Sequence, residues 1–515
     1  MRTDKVLKNG AYAIFAYFLT AIMAILVRKL FVLCLPVEFL GYEGLFGNIF
    51  SLLALADFGV ESLIKYRMYS AFAANDKDEI CKLMAIYKMI YRFVGIFILI
   101  VGLVLVPFLR WIVGDPSLRW EYIYIVYGIQ LISTLCTYFL AYKRMLFVVD
   151  QCEYRCTRVD AGCSLLSYLM QIMTLLFLRS YIVYLLVKVF TNIMANWILA
   201  KQTEKEYSYA NREVRITKKD IEQSGLWHDI KNNMVQKVAS AVWSSTDNIL
   251  ISILLGITNV GLISNYTLVS GYVTSILDKI LNAFQSSIGN MIYTNDKKMG
   301  NDMFHMFNMV EFLMSSFVAC SFFVLINPLI TLWLGDGYTV GVGYVLFFSL
   351  NQYVMWNHRF ITYYRTAFGK YEEDRNYILA GAILNIVCSI ALAKPMGIAG
   401  IMLGTVIGHV GFWVGRVKVV YREYVDEPIR KYILRQIRNL LILTVELLLL
   451  FFLCNRISDN IIGFAGKMLL CIIIPNGINF LLFYRTKEMK LAMRYAGHVK
   501  ELIKGKIPGR IKGKS

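Results

Sequence analysis

Apolar residues occur along this chain in long, nearly unbroken runs, not at the alternating spacing of a half-buried strand or the broken stripe of a surface helix. A hydrocarbon core about 30 Å thick takes roughly 20 apolar residues per helix, and on that template the runs resolve into about fourteen segments. The first six lie near 10–34, 42–66, 89–112, 120–142, 158–178 and 181–200. Six more lie near 232–255, 260–290, 305–334, 340–362, 376–393 and 397–417, and two last ones near 434–454 and 461–484. A polar stretch, Lys201 to Lys231, separates the sixth from the seventh, and a basic tail closes the chain. The predicted organisation is an N-terminal lobe at 1–200, a linker at 201–231, a C-terminal lobe at 232–425, two further helices within 426–485 and a tail at 486–515.

Composition sharpens this picture. Of 515 residues, 57% are hydrophobic and 17% charged, and the mean hydropathy is +0.55. That balance excludes a soluble protein, a disordered scaffold and a secreted disulfide module, because so much apolar surface has no place in water. The expected class is an all-α integral membrane protein. The formal net charge of +19 would suggest nucleic acid on a soluble protein, but here topology explains it and no nucleic-acid partner is expected. With the N-terminus cytoplasmic, the loops on that side and both termini hold about 39 Lys and Arg, against about 5 on the other side. Both ends are therefore expected in the cytoplasm and the protein in the plasma membrane, its basic loops against anionic phospholipid. The linker and the tail (Met489, Leu491, Leu502 and Ile503 among lysines) suit basic amphipathic helices on the inner leaflet. The first apolar run lacks a small-residue cleavage site and reads as a retained helix. Ten cysteines are scattered, only Cys34 nearing the outer edge, so no disulfide framework is expected. Cys152, Cys156 and Cys163 lack the fourth ligand and tight spacing of a zinc site, and no metal is expected.

The two halves repeat at an offset of about 220 residues, the kind of internal symmetry used by transporters that rock two lobes about a central site. Pro107 to Asp115 (PFLRWIVGD) matches Pro328 to Asp336 (PLITLWLGD), and Asn75, Asp76 and Lys77 match Asn295, Asp296 and Lys297. Leu35 to Gly41 (LPVEFLG) matches Leu255 to Gly261 (LGITNVG), while Tyr142, Arg144 and Phe147 match Tyr363, Arg365 and Phe368. Six segments separate corresponding points, an even number, so the repeat is parallel: two six-helix lobes plus two C-terminal helices.

A resemblance to a known family rests on the first ninety residues. Ile25 to Arg28 (ILVR), Glu38 to Phe46 (EFLGYEGLF), Leu53 to Gly59 (LALADFG), then Tyr69, Ala73, Asn75 and Asp76, resemble the Wzx-type polysaccharide flippases. These form a branch of the multidrug/oligosaccharidyl-lipid/polysaccharide exporter superfamily, and the 6+6+2 plan resembles that superfamily as a whole. The resemblance implies alternating access, a polyprenyl-diphosphate-linked oligosaccharide as substrate and surface-polysaccharide biosynthesis as setting. It also implies glycan polymerases and glycosyltransferases as partners. Its motifs are silent on the sugar.

Ionisable residues inside spanning segments are costly, so each is a candidate for the substrate cavity. They are Arg28 and Lys29 in segment 1, and Asp57, Glu61 and Lys65 at four-residue spacing, hence on one face, in segment 2. Lys88 and Arg92 open segment 3; Lys188, Asp247 and Glu311 lie inside segments 6, 7 and 9; His358 and Arg359 come late in segment 10. Asp57, Glu61 and Lys65 fit an internal ion pair as well as a transport role, and Lys65, Lys88, Arg92 and Arg359 fit snorkelling to the surface. Arg28 is the foremost candidate, because a fixed guanidinium binds phosphate oxygens in pairs. Drug exporters of the superfamily carry an acidic residue in the N-terminal lobe for cation coupling; segment 1 here has none, though Asp57 and Glu61 could substitute, so a coupling proton or sodium ion stays open. No HExxH, GxSxG or Walker A motif is present, so no enzyme is expected and no cofactor. The alternatives are an ion-coupled small-molecule drug exporter of the same fold, a membrane glycan polymerase or transferase, disfavoured by short outer loops, and a non-transporting scaffold.

Overall fold

The computed structural model describes residues 2–57, 59–114, 118–212, 214, 238–239, 245–293, 297–369 and 372–503. Most of the expected linker and the first half of segment 7 lie outside these residues, as does 504–515. Every regular element among the described residues is helical. The first group is α1 (Arg2–Cys34), α2 (Glu38–Leu53), α3 (Val60–Ala73), α4 (Lys77–Leu105), α5 (Leu109–Val113), α6 (Trp120–Ala141), α7 (Arg144–Val149), α8 (Glu153–Met173) and α9 (Tyr181–Glu206). After the linker come α10 (Ser245–Leu255), α11 (Ile257–Tyr293), α12 (Lys297–Leu334), α13 (Val342–Trp356), α14 (Arg359–Phe368), α15 (Arg375–Met396), α16 (Ile398–Glu423), α17 (Ile429–Cys454), α18 (Ile461–Phe483) and α19 (Lys487–Ile503). Twelve helices among the described residues are long and apolar enough to cross a membrane. Their outward faces carry exposed apolar side chains, among them Phe93, Ile100, Phe177, Phe190, Phe452 and Ile462, as contact with hydrocarbon requires. This is a multi-pass membrane protein.

Three expected segments need correction. Segment 2 is not one helix over 42–66: α2 ends at Leu53, a 3-10 turn covers Ala54–Asp57, and α3 begins at Val60. The break is local chemistry. The Asp57 carboxylate accepts the Gly59 amide at 2.8 Å, and Gly59 sits at φ 75°, which a residue with a Cβ adopts only under strain. Asp57, Glu61 and Lys65 therefore do not share one helix face. Segment 3 begins at Lys77, not near 89, capped by the Asp76 carboxylate on the Glu79 amide at 3.0 Å, so Lys88 and Arg92 stand three and four turns inside α4. Segment 10 splits into α13 and α14, which places His358 and Arg359 at the junction rather than late in a helix.

The chain forms two compact units, Met1–Tyr272 and Val273–Ser515. In the first, α1 lies along α8, α6 packs against α2, α4 and α9, and α3 packs on α4 and α7. A buried cluster that includes Ile64, Met68, Tyr87, Leu146, Phe147 and Leu199 joins α3, α4, α7 and α9. In the second, α12 is the hub, touching α13, α14, α17, α18 and α19 around Phe312, Cys320, Leu443 and Leu450. Met489 and Ala492 of α19 pack on that core, so the start of the tail docks on protein, and Lys487 pairs with Asp302 at 2.7 Å.

The repeat is visible in register: α4 begins at Lys77 and α12 at Lys297. It is also visible as a reciprocal contact inside the first unit. A Cβ on Gly41 would fall 2.3 Å from the Ile257 carbonyl oxygen, and one on Gly261 would fall 2.4 Å from the Val37 carbonyl oxygen. Between them the Thr258 hydroxyl donates to Glu38 at 3.4 Å. Each residue touches the repeat equivalent of the residue that its own equivalent touches.

Candidate functional site

The polar interior of the first unit grows from three helices. Glu43 on α2 pairs with Lys188 on α9 across a cavity of about 500 Å³, whose wall includes Asn48, Gln130, Ser133 and Thr134. Lys188 is followed at four-residue intervals by Asn192 and Asn196, which share its face of α9. Asn192 donates to Thr137 of α6 at 3.2 Å, and Asn196 accepts from Arg144 at 3.0 Å. Arg144 then grips Asp160 with both terminal nitrogens, at 2.9 and 2.6 Å. Its planar fork matches the carboxylate in the strong bidentate geometry.

A second cavity of about 420 Å³ holds Asp57, Glu61, Arg144 and Asp160 with the hydroxyl-bearing rings of Tyr87, Tyr91 and Tyr138. The helix break that parts Asp57 from Glu61 still leaves both on this wall, while Lys65 lies outside it, half-buried on α3. Tyr87 donates to Tyr91 at 2.7 Å, and Tyr138 reaches the Ala54 carbonyl at 3.4 Å, tying the tyrosines to the break itself.

Arg28 is half-buried on α1, and its Nη1 donates to the Ser264 hydroxyl of α11 at 3.1 Å. The Ser264 hydroxyl in turn donates a hydrogen bond to the Gly261 carbonyl at 2.6 Å, so the arginine hangs from the α11 turn that also makes the reciprocal glycine contact. Among the described residues Arg28 makes no ion pair. Glu43 lies in the field of both Arg28 and Lys188. Lys29 is exposed on the same helix, and Asp247 is half-buried on α10.

The candidates of the second unit have partners of their own. Glu311 is fully buried and accepts the Phe360 amide at 2.6 Å, capping the first turn of α14. Arg359 pairs with Asp278 and lies 5.5 Å from the Trp356 ring centre, so it is anchored on both sides. His358 is buried with its ring stacked on Trp413, 6.0 Å between centres, and His409 at 6.3 Å. Beside them Arg365 and Asp374 form an ion pair with 1% and 0% side-chain exposure, and Arg416 donates to Thr362 at 2.9 Å. Arg144 and Arg365, matched in the sequence repeat, thus hold a carboxylate in each unit.

Sequence reasoning passed over Glu43, Arg144, Asn192 and Asn196 as site residues. Lys188, Asn192 and Asn196 do carry a signal, polar residues at four-residue spacing in an otherwise apolar run. Glu43 carries none, because its importance comes from facing α9.

No family model matches the chain, and no curated protein does. Solved structures do. The chain is similar to the lipid II flippase MurJ in an inward closed conformation, with a TM-score of 0.65 and 15% identity, over 92% of this chain and 99% of that one. The likeness is one of fold, shared over nearly the whole of both chains. An inward-facing multidrug resistance MATE family transporter of the MOP superfamily matches with a TM-score of 0.58 and 10% identity, over 78% of this chain and 94% of its own. A variant of the Vibrio cholerae MATE transporter VcmN matches at 0.50 and 12%, over 82% and 98%.

Proposed function

We propose that this protein moves a polyprenyl-diphosphate-linked oligosaccharide across the plasma membrane by alternating access, as a step in surface-polysaccharide assembly. The observation that carries the reading is Arg28. Its guanidinium is half-buried, spends one N–H on a neutral hydroxyl, and makes no ion pair among the described residues. A diphosphate offers the oxygen pairs that the remaining fork is shaped to hold. A fold shared with a lipid II flippase over nearly the whole of both chains supports a lipid-linked substrate. Lys188, exposed to its cavity beside Glu43, offers a second cation for the headgroup. No covalent step is needed: the protein supplies different affinities for the headgroup in two conformations. The Lys and Arg bias of the loops supports cytoplasmic termini, on the side where glycosyltransferases would deliver the substrate.

A second reading, an ion-coupled drug exporter, is favoured by one feature: Asp57 and Glu61 line an acid-bearing cavity in the first unit, where a proton or sodium ion would bind. Reconstituted protein separates the two. With a fluorescent polyprenyl-diphosphate oligosaccharide in proteoliposomes, flipping that Arg28→Ala abolishes supports the first reading. Flux of a cationic dye without any lipid flipping would overturn it. In cells, deletion of the gene is expected to leave lipid-linked glycan on the cytoplasmic leaflet, and unchanged surface glycan would count against the proposal.

A further inference from the structure

The first unit holds a third cavity, of about 490 Å³, which the proposed transport path does not use. One wall is a single face of α4: Cys81, Met84, Lys88 and Arg92 follow each other at three- and four-residue steps. The α6–α7 junction adds Tyr142 and Lys143, the end of α9 adds Thr203 and Tyr207, and Arg212 closes the rim. Among the described residues four cations line the cavity and no carboxylate does. Carboxylates nearby are engaged: Glu204 pairs with Lys143, Asp78 lies 3.8 Å from Arg212, and Asp150 accepts the Tyr207 hydroxyl at 2.9 Å. Lys88 and Arg92 make no ion pair among the described residues, so the cavity keeps unbalanced positive charge.

Its position along the membrane normal selects the kind of anion. Immediately past Arg92 the exposed face of α4 turns apolar, through Phe93, Ile96, Phe97, Ile100 and Leu103. On α9 the exposed Trp197 ring lies under the Lys201 ammonium at 4.2 Å, the aromatic-and-lysine pairing found at headgroup depth. The cavity therefore opens where acyl chains meet headgroups. A soluble anion has no use for the adjoining apolar wall of Met84 and Met89, whereas a phospholipid can lay its phosphate on the cations and its chains along α4.

We propose that this cavity binds the phosphate headgroup of an anionic phospholipid, with Lys88 and Arg92 as the two residues that hold it. This site is separate from the Arg28 reading and stands or falls without it. The test uses the full chain in nanodiscs containing photoreactive phosphatidylglycerol or photoreactive phosphatidylcholine, with cross-linked peptides identified by mass spectrometry. Phosphatidylglycerol is expected to label the cavity-lining peptides of α4 and α9, and phosphatidylcholine far less. Lys88→Gln with Arg92→Gln is expected to weaken phosphatidylglycerol labelling about 25-fold, at about five-fold per basic residue near a lipid surface. Lys88→Arg with Arg92→Lys, which keeps the charges, should retain the labelling and separates binding from misfolding. Equal labelling by both lipids, or no loss in the Gln pair, would overturn the proposal. Loss of labelling on adding inorganic phosphate at unchanged ionic strength would overturn the lipid assignment in favour of a soluble anion.

Discussion

Alanine at Gly41 tests the packing between the two repeats most directly. Its Cβ would fall 2.3 Å from the Ile257 carbonyl oxygen and 2.9 Å from that residue's side chain, and no flexible tip is there to yield. Overpacking of this kind costs about 1–3 kcal/mol, while replacing glycine by alanine within a helix returns about 0.8–1.0 kcal/mol. An approach this close to backbone sits at the top of the overpacking range, so the expected net loss is about 2 kcal/mol. Gly261→Ala meets the Val37 carbonyl at 2.4 Å and should cost the same. The two clashes push apart the same pair of segments, so the shift that relieves one relieves the other. Gly41→Ala with Gly261→Ala should therefore cost about 0.5–1 kcal/mol less than the sum of the single changes. The assay is the fraction of detergent-solubilised protein that stays monodisperse after heating, in a double-mutant cycle. Gly47→Ala and Gly271→Ala serve as references, since nothing lies within 4 Å of a Cβ at either position, and both should be neutral or mildly stabilising. A chain this long shifts by less than the ~2–4 °C per kcal/mol of domains half its size, so replicate melts are needed. Wild-type stability in Gly41→Ala, or strict additivity in the double variant, would refute the reasoning.

Other consequences can be measured with the same preparations. Arg28→Ala should abolish flipping in proteoliposomes while leaving the melt unchanged, and Arg28→Lys should recover only part of the flux because a point charge replaces a fork; full activity in Arg28→Ala would remove it from the site. Glu311→Ala should destabilise by about 1–3 kcal/mol, as a buried amide at the start of α14 loses its acceptor, whereas Glu311→Gln keeps an acceptor and should sit near wild type; a similar loss in both would show that charge, not capping, matters. Arg365→Ala leaves Asp374 buried without its counter-ion and should cost about 3–5 kcal/mol, while Arg365→Met with Asp374→Leu should recover much of that in the melt.

Hydropathy made the spans legible because lipid requires long apolar helices, and the bounds of 120–142 and 461–484 differ from α6 and α18 by one residue, at the C-terminal end only. Breaks were harder to see, since long apolar runs flank the turn at 54–59, and the polar pair Asn357–His358 is too short to interrupt the run around it. The Asp57–Phe58–Gly59 turn chemistry was present in the sequence but outweighed by the run around it. Candidate charges could be found one at a time, yet their partners could not. Glu43 and Lys188 are 145 positions apart, and Arg359 and Asp278 are 81 apart. Which charges pair is decided by helix packing, and one sequence does not encode that in any local pattern. The repeat was the exception, because its two copies could be read against each other.

The contact of Val37 with Gly261 and of Ile257 with Gly41 has the form of an isologous interface, in which i of the first copy meets j of the second and i of the second meets j of the first. Such reciprocity arises when one surface meets an identical copy of itself. It fits a history in which an ancestral chain of half this length worked as a homodimer and a gene fusion later joined its two subunits. Once joined, each copy was free to diverge except where it touched the other. A half-length chain carrying Leu35 to Gly41 alone would still display a self-complementary surface, and its natural mate would be a second molecule of itself.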